Sequence, residues 1–559
     1  MDTKTARPPA EDRSSHSGAV SSYHARTSHR FEAFAQGPES LDWDAQPAPF
    51  RHYVGCDTVD LPRLDTFDSA HLRRGFGAIQ SAATVQPLDL AHLGALLQLS
   101  LGLTAWKSFG PDRWALRANP SSGNLHPVEA WVIARGVPGL VDGVHHYRPE
   151  RHALSLRAAD APGGEAAPSL AIALSSVMWR EAWKYGERAF RYCQLDVGHA
   201  LGSLRYAAAV LGWTLAEQRQ VGHDTLAHRL GLDREADYPA RRQPTAEREE
   251  PEVLLSVGLG ADAPRLDPVA VAARADEATW FGTASTIDPH PMYRWPVIND
   301  VATRTRRHDG TPAPDRSEQT AIRPNVTPPD QGPAVTDLIL QRRSAQRFDH
   351  VHVMSRRELR TVLEVLDARL PVPFDVLPEQ ARVDLVMMIH RVADLPSGLY
   401  LVERHNDTDT PSRLADTFAE FSDLAPIPDL PLRELRAISP QVLKRVTRTL
   451  HCQQDIAATA CLALGMVVPL ESALTLDPAS YRDLHRAAGL IGQTLYLVAE
   501  SLGLRGTGIG CFFDGPVRES LALQDQGLTT LYHFTLGKAL DDPRIETTPA
   551  YTTHKEPTA

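Results

Sequence analysis

Four strings in this chain carry residue types at spacings that could do chemistry. The first, Asn119-Pro120-Ser121-Ser122-Gly123-Asn124-Leu125-His126-Pro127, runs into the strand-like Glu129-Ala130-Trp131-Val132-Ile133. Two prolines, a glycine and two hydroxyls predict a rigid loop whose backbone donors and side chains can grip a ligand. The second, Arg342-Arg343-Ser344-Ala345-Gln346-Arg347-Phe348, follows a short predicted helix over 335–341. Its two guanidinium groups and hydroxyl suit a phosphate, because arginine offers paired donors of fixed charge. The third, Gly503-Leu504-Arg505-Gly506-Thr507-Gly508-Ile509-Gly510-Cys511, is a glycine series that lets backbone approach a flat ring and take positive φ. Cys511 reads as a small buried side chain in preference to a reactive thiol. Taken singly, these strings have ordinary counterparts, such as a turn before a strand or a solvated basic helix end.

The fourth string, running from Trp179 through Lys184 and Tyr185 to Tyr192, has the composition of an aromatic, partly buried helix with a charged face. Within it, the Lys184 ammonium adjoins the Tyr185 phenol in sequence. An ammonium beside a phenol favours phenolate, which is one way to make a general base.

The elements that must position these strings occur twice. Segments 198–212 and 489–503 have equal length, apolar residues at helical spacing and a terminal glycine. In both, a short polar link then leads to Asp224 or Asp514 and a Leu-rich helical turn. A strand-like run ending in glycine follows, 254–258 or 532–537. Near the front of each block lies a further helix, 90–100 or 355–366, the second opening with the capping box Ser355-x-x-Glu358. This order predicts a diverged internal duplication. The expected organisation is a disordered tail over 1–30, a first domain over 31–282, a proline-rich linker over 283–333, a second domain over 334–546 and a tail over 547–559.

Composition narrows the function classes. The 559 residues are 42% hydrophobic and 23% charged, which excludes a single small module or a wholly disordered chain. A net charge of −11 argues against a broad nucleic-acid surface. The five cysteines lack any Cys-x-x-Cys pair, so neither a disulfide framework nor a zinc site is expected. Only six residues are lysines, so a lysine inside a structured segment draws notice. The first residues have no apolar signal core, and the longest apolar runs fall short of the ~20 residues of a membrane helix. The expectation is a cytoplasmic protein with neither membrane nor nucleic acid as partner.

Together the strings resemble those of the FMN-dependent nitroreductase superfamily. By that resemblance Pro120, Ser121, Ser122 and Asn124 form the flavin-binding loop. Arg342, Arg343, Ser344 and Gln346 hold the FMN phosphate and ribityl chain, with Gln346 standing where a basic residue is usual. The backbone at Gly510 and Cys511 faces the flavin N5 and O4 edge, and Arg544, after Gly537, returns a basic side chain to the phosphate. The loop lies only in the first block, and the arginine and glycine strings lie only in the second. At the counterpart place the first block reads Leu72-Arg73-Arg74-Gly75-Phe76, without the serine. The resemblance therefore implies an α+β fold of two tandem nitroreductase-like domains, each a mixed sheet with flanking helices, joined as an intrachain pseudo-dimer that keeps one FMN site. The Lys184-Tyr185 pair, the segment 23–31 and the segment 143–147 resemble the long form of SagB/ThcOx-type dehydrogenases, which oxidise azolines to azoles. On that reading Lys184 and Tyr185 are catalytic, the substrate is a small molecule or modified peptide, and a cyclising enzyme is a candidate partner. The alternatives are an NAD(P)H-dependent reductase of nitro or quinone-type acceptors, and a flavin-binding scaffold without turnover.

Overall fold

The structure, a computed structural model, describes residues 10–551 apart from 163–166, 241–242, 261, 312–331, 379–380, 405–424, 522 and 524–526. The apolar alternation and runs of the two halves form two sheets with one topology. In the first, the strands lie in the order Ala153–Ala159, Gly143–Arg148, Val128–Arg135, Ser169–Ser176, Glu250–Leu259, Trp213–Glu217. In the second, the order is Leu432–Ala437, Gly398–Val402, Asp384–Ile389, Leu462–Val468, Thr529–Gly537, Arg505–Ile509. Numbered along each half, both read 3-2-1-4-6-5, the signature of a duplicated unit. Pairing between these strands is antiparallel throughout. The mixed character enters at the margins, where Ser344 bridges Gly506 and Met354 bridges Val392 in parallel.

The predicted helices form for the expected reasons. Leu90–Ser100 starts where the Asp89 side chain accepts from His92 N–H, and it buries Leu93, Leu96, Leu97 and Leu99. Arg356–Glu364 opens with the complete Ser355/Glu358 capping box. The two central helices, Ala189–Val210 and Ser480–Ser501, pack on one another and are buried along almost their whole length. One hydrophobic cluster holds Leu195, Leu201, Leu490 and Leu497 together, so the halves share a core.

Several expected boundaries are corrected. The tail over 1–30 is folded from residue 10: Ala10–Arg26 is a helix that buries Val20 and Tyr23. Tyr23 Oη donates to Glu187 O at 2.7 Å, and Arg26 Nη2 meets Glu187 Oε1 at 2.6 Å. Polar composition hid this helix because only a narrow stripe of it is covered. The expected linker is also ordered in part. Thr283–Ala284 pairs with Tyr53–Val54, and helix Pro296–Arg304 buries Ile298, Val301 and Ala302; residues 312–331 lie outside the described residues. At the other end Glu546–Pro549 is a strand on Leu103–Phe109, and Tyr551 Oη donates to Pro149 O, while 552–559 lie outside the described residues. Finally, the aromatic helix over 179–192 is broken at Gly186. A Cβ there would lie 2.4 Å from Gln36 O, and its φ of +56° is left-handed, so helix Met178–Tyr185 ends and Ala189–Val210 begins anew.

Candidate functional site

Between the halves lies a cavity of about 360 Å³, within the roughly 300–1,000 Å³ of small-molecule sites. Its walls bring together Pro120, Ser121, Ser122, Asn124 and Tyr185 from the first half with Arg342, Arg343, Ser344, Gln346, Gly510 and Cys511 from the second. Two expected site residues, Lys184 and Arg544, are not among the lining.

The serine loop is shaped from beneath. Gly123, Asn124 and His126 take φ of +61°, +59° and +50°, an unusual density of left-handed backbone. Side chains hold it so. Ser121 Oγ accepts from His126 N–H at 2.8 Å, Asn124 Nδ2 donates to Ala115 O at 2.9 Å, and Arg180 Nη1 donates to His126 O at 2.8 Å. Asp196, buried on the central helix, accepts from both the backbone N–H and the hydroxyl of Ser122 at 3.1 Å. Burial pushes the Asp196 carboxyl up to about 7, against the opposing hydrogen bonds from Ser121 and Ser122. Burial also raises Glu181 well above the ordinary carboxylate range, with Asp196 adding to it.

The opposite wall is cationic. Arg342 is 3% exposed; its Nε donates to Ala118 O at 3.3 Å and its Nη2 to Arg117 O at 3.1 Å, while Nη1 has no hydrogen-bond partner. Burial lowers its pKa, and burial followed by repulsion from Arg342 brings Arg343 down to about 10. Lys107, from strand Leu103–Phe109, reaches the same cavity and is lowered by burial and then by Arg343. Three cations disfavoured by burial, two of them repelled by a neighbour in the group, form a place that an anion would stabilise. Ser344 adds a hydroxyl, 3.0 Å from Tyr496 Oη, which also accepts from Gly508 N–H at 3.0 Å.

The glycine series meets the expectation only at its start, where Gly503 takes φ of +66°. Gly506, Gly508 and Gly510 do not take positive φ. Their missing side chains make room for aromatic rings: a Cβ on Gly508 would lie 1.7 Å from Tyr532 Oη, and one on Gly510 2.1 Å from Tyr192 Cε1. Gly508 and Gly510 line the cavity together with both tyrosines.

Two sequence expectations are corrected. Arg544 does not return to the cavity. Its side chain is exposed, meets Asp542 at 2.6 Å and lies over the Phe109 ring, because the chain turns at 541–545 to enter the strand beside Leu103–Phe109. The cation delivered there is Lys107 on that neighbouring strand. Lys184 does not prepare a phenolate at Tyr185 either. Burial first, then Glu181, Tyr192 and Asp196, raise the Tyr185 pKa well above its ordinary value. The Lys184 ammonium lies 5.3 Å from the Trp43 ring centre, and the charge that favours its protonated form is Glu181. The ammonium also lies 5.4 Å from the Tyr185 ring centre, but burial and the surrounding acids outweigh it.

The counterpart place in the first half is closed. Arg73 pairs with Asp337 at 2.9 Å, and Arg74 donates to Ala209 O, Ala78 O and Ser81 O. Residues that sequence reasoning passed over include Asp196, Tyr192, Tyr496 and Arg117. Asp196 left a trace, the single carboxylate on helix Ala189–Val210; Tyr192 stood at the end of the fourth string without a role, and Tyr496 left no trace. Among the described residues no cluster of His, Cys, Asp and Glu could hold a metal, and no helix is long and apolar enough to cross a membrane.

Fold and site together define a two-half α+β protein of nitroreductase-like architecture with a composite cavity between the halves. A putative nitroreductase from Anabaena variabilis ATCC 29413, known from its crystal structure, covers 93% of this chain with 99% of its own, at a TM-score of 0.64 and 22% identity. Both halves and their arrangement are thus shared. In sequence, the chain is 31% identical over 137 residues to Putative nitroreductase MJ1384 of Methanocaldococcus jannaschii. That match takes in 22% of this chain and 66% of the relative, so the chain spans just under two thirds of the curated relative's length. A chain of the E. coli microcin synthetase McbBCD complex with truncated pro-MccB17 bound overlays 36% of this chain with 70% of its own, at a TM-score of 0.27 and 15% identity. No family model matches the chain.

Proposed function

We propose that the cavity binds one FMN and that the protein is a flavin-dependent oxidoreductase, acting on an azoline ring of a peptide natural product to give the azole. The observation that carries the cofactor reading is the cationic wall: Arg342 is buried with one nitrogen unpartnered, Arg343 is half-buried beside it, and both line a cavity whose far side is a serine loop. The unpartnered Nη1 of Arg342 is what a phosphate oxygen would satisfy. In this reading Arg342, Arg343, Ser344 and Lys107 hold the phosphate, Gln346 the ribityl chain, and the Pro120–Asn124 loop with the Gly510–Cys511 backbone the ring system.

Bound FMN would supply the hydride acceptor for an azoline that also loses a proton. The chain must then receive that proton. Tyr185, held protonated, is suited to donate a hydrogen bond and orient the substrate. Asp196, at about 7, has the ionisation that a base working near neutrality needs. Ser122 fixes its carboxylate by two hydrogen bonds. The azoline reading rests on the Lys184-Tyr185 string and on Tyr185 lining the cavity. A second reading, an NAD(P)H-dependent reductase, is favoured by the nitroreductase name of the sequence relative. The purified chain, loaded with FMN, is offered an azoline-containing peptide in one assay and NAD(P)H with a nitroarene in another. Loss of two hydrogens from the peptide supports the first reading, and nitroarene reduction alone supports the second.

A further inference from the structure

The thiols of Cys452 and Cys511 lie 2.8 Å apart at the edge of the cavity, and both residues are half-buried. Cys511 itself lines the cavity wall. The contact is built into the fold. Phe513 N–H donates to Leu450 O at 2.9 Å and Gln454 Nε2 donates to Cys511 O at 3.1 Å, clamping the 450–454 turn to the 511–513 segment on both sides of the sulfurs. Cys452 and Gln453 take φ of +53° and +61°, a left-handed pair in non-glycine residues that the turn must hold against its own preference. What that cost achieves in the structure is the sulfur contact.

The two thiols are not equivalent. His29 and Arg188 face Cys511; Ala35 N–H donates to His29 Nδ1, which leaves the other ring nitrogen to carry hydrogen, and Arg188 Nη2 donates to Gly510 O at 3.1 Å. The remaining groups around them are Asp514, which pairs with Arg188 and Arg191, and the phenols of Tyr185 and Tyr192. The Cys452 thiol first, then His29 and Arg188, bring Cys511 down to about 5 in spite of burial, while the same contact raises Cys452. The groups that favour a thiolate therefore lie on the Cys511 side of the pair.

We infer that Cys452 and Cys511 form a thiol–disulfide site that reacts with low-molecular-weight disulfides, with Cys511 as nucleophile and Cys452 as the resolving thiol. The Cys511 thiolate attacks one sulfur of the small disulfide, forming a mixed disulfide and releasing one small thiolate. Cys452 then loses its proton and attacks Cys511 Sγ, forming the Cys452–Cys511 disulfide and releasing the second thiolate. Both chain thiols are oxidised, one small disulfide is reduced to two thiols, and no further oxidant is needed. The site stands on chain geometry alone and does not rest on the flavin reading.

The test treats the reduced, full-length chain with glutathione disulfide, quenches with acid, alkylates and maps the peptides. The expected product is a peptide pair linked through Cys452 and Cys511, with Cys56, Cys193 and Cys461 alkylated as free thiols. In Cys452→Ser, glutathione should stay attached at Cys511; in Cys511→Ser, Cys452 should remain reduced on the same timescale. If either variant misfolds, the rate of iodoacetamide labelling of Cys511 against Cys56 in the wild-type chain decides, with Cys511 expected to be faster at pH 6. No Cys452–Cys511 linkage in the wild type, or glutathione carried by Cys56 in place of Cys511, would overturn the inference.

Discussion

Gly198 and Gly489 face one another where the two central helices cross: a Cβ on Gly489 would lie 3.0 Å from Gly198 Cα and 2.1 Å from Leu195 O. Equivalent positions of a duplicated helix thus form their own contact, as the seam of a symmetric dimer would if its subunits were joined in one chain. The obstructing atoms are backbone, which cannot step aside. Gly489→Ala should therefore destabilise the chain, by about 1–3 kcal/mol, the ordinary cost of overpacking. Denaturant unfolding measures it; a midpoint unchanged or raised by the better helix propensity of alanine would mean that the helices can separate without cost.

Arg342→Ala should weaken FMN binding roughly ten- to hundredfold, the loss expected for a charge-assisted hydrogen bond worth about 1.5–3 kcal/mol. Arg73→Ala, at the closed counterpart, should leave affinity unchanged, because Arg73 is engaged with Asp337 on the surface. Fluorescence titration of both variants checks the pair. Equal losses would contradict the assignment of the site to one side.

Asp196 makes a pH-dependent prediction. Its pKa is raised in the folded chain, to about 7, so between the unfolded carboxylate value near 4 and that point the folded state binds more protons. Stability from this group is fully present below about pH 4 and is lost as pH rises through 7. Asp196→Asn should remove that loss, so its stability relative to wild type should climb across this window. Urea midpoints at several pH values test the slope, and a flat difference would mean that Asp196 is not the group held protonated.

The catalytic assignments predict unequal effects. Asp196→Asn should lower azoline turnover by ~10²–10⁴-fold, the usual worth of a general base. Tyr185→Phe should cost only several-fold, the worth of one neutral hydrogen bond of about 0.5–1.5 kcal/mol. Both variants should keep their flavin. Rates normalised to bound flavin decide; a larger loss for Tyr185→Phe would restore the phenol as the base.

Much of this architecture is legible in the chain, and the illegible parts share a cause. The helix at 90–100 and the capping box at Ser355 are local events, set by neighbours within one turn, and they appear where the residues predict them. The loop, arginine and glycine strings are also local, and the fold gathers them. What failed depends on distant partners. The helix over Ala10–Arg26 is held by Glu187 and Tyr481, far along the chain, and its own apolar stripe is too thin to announce it. The aromatic run from Trp179 to Tyr192 continues through Gly186 in composition, but Gln36 O stands where the helix would pass. At Lys184-Tyr185 the ammonium does come to 5.4 Å from the phenol ring centre, but burial and acids from elsewhere in the chain, which adjacency in sequence does not show, set the phenol. Arg544 was expected on the phosphate; the chain instead directs Lys107, from the paired strand, to that wall.

The central claim is that a duplicated fold keeps one composite flavin site, with its cations in the second half and its serine loop in the first. The direct measurement is the FMN content per chain after saturation with FMN and removal of the excess, with the flavin released by heat and counted by absorbance against protein. The account predicts one FMN per chain, falling in Arg342→Ala and unchanged in Arg73→Ala. Two FMN per chain, or none, would contradict it.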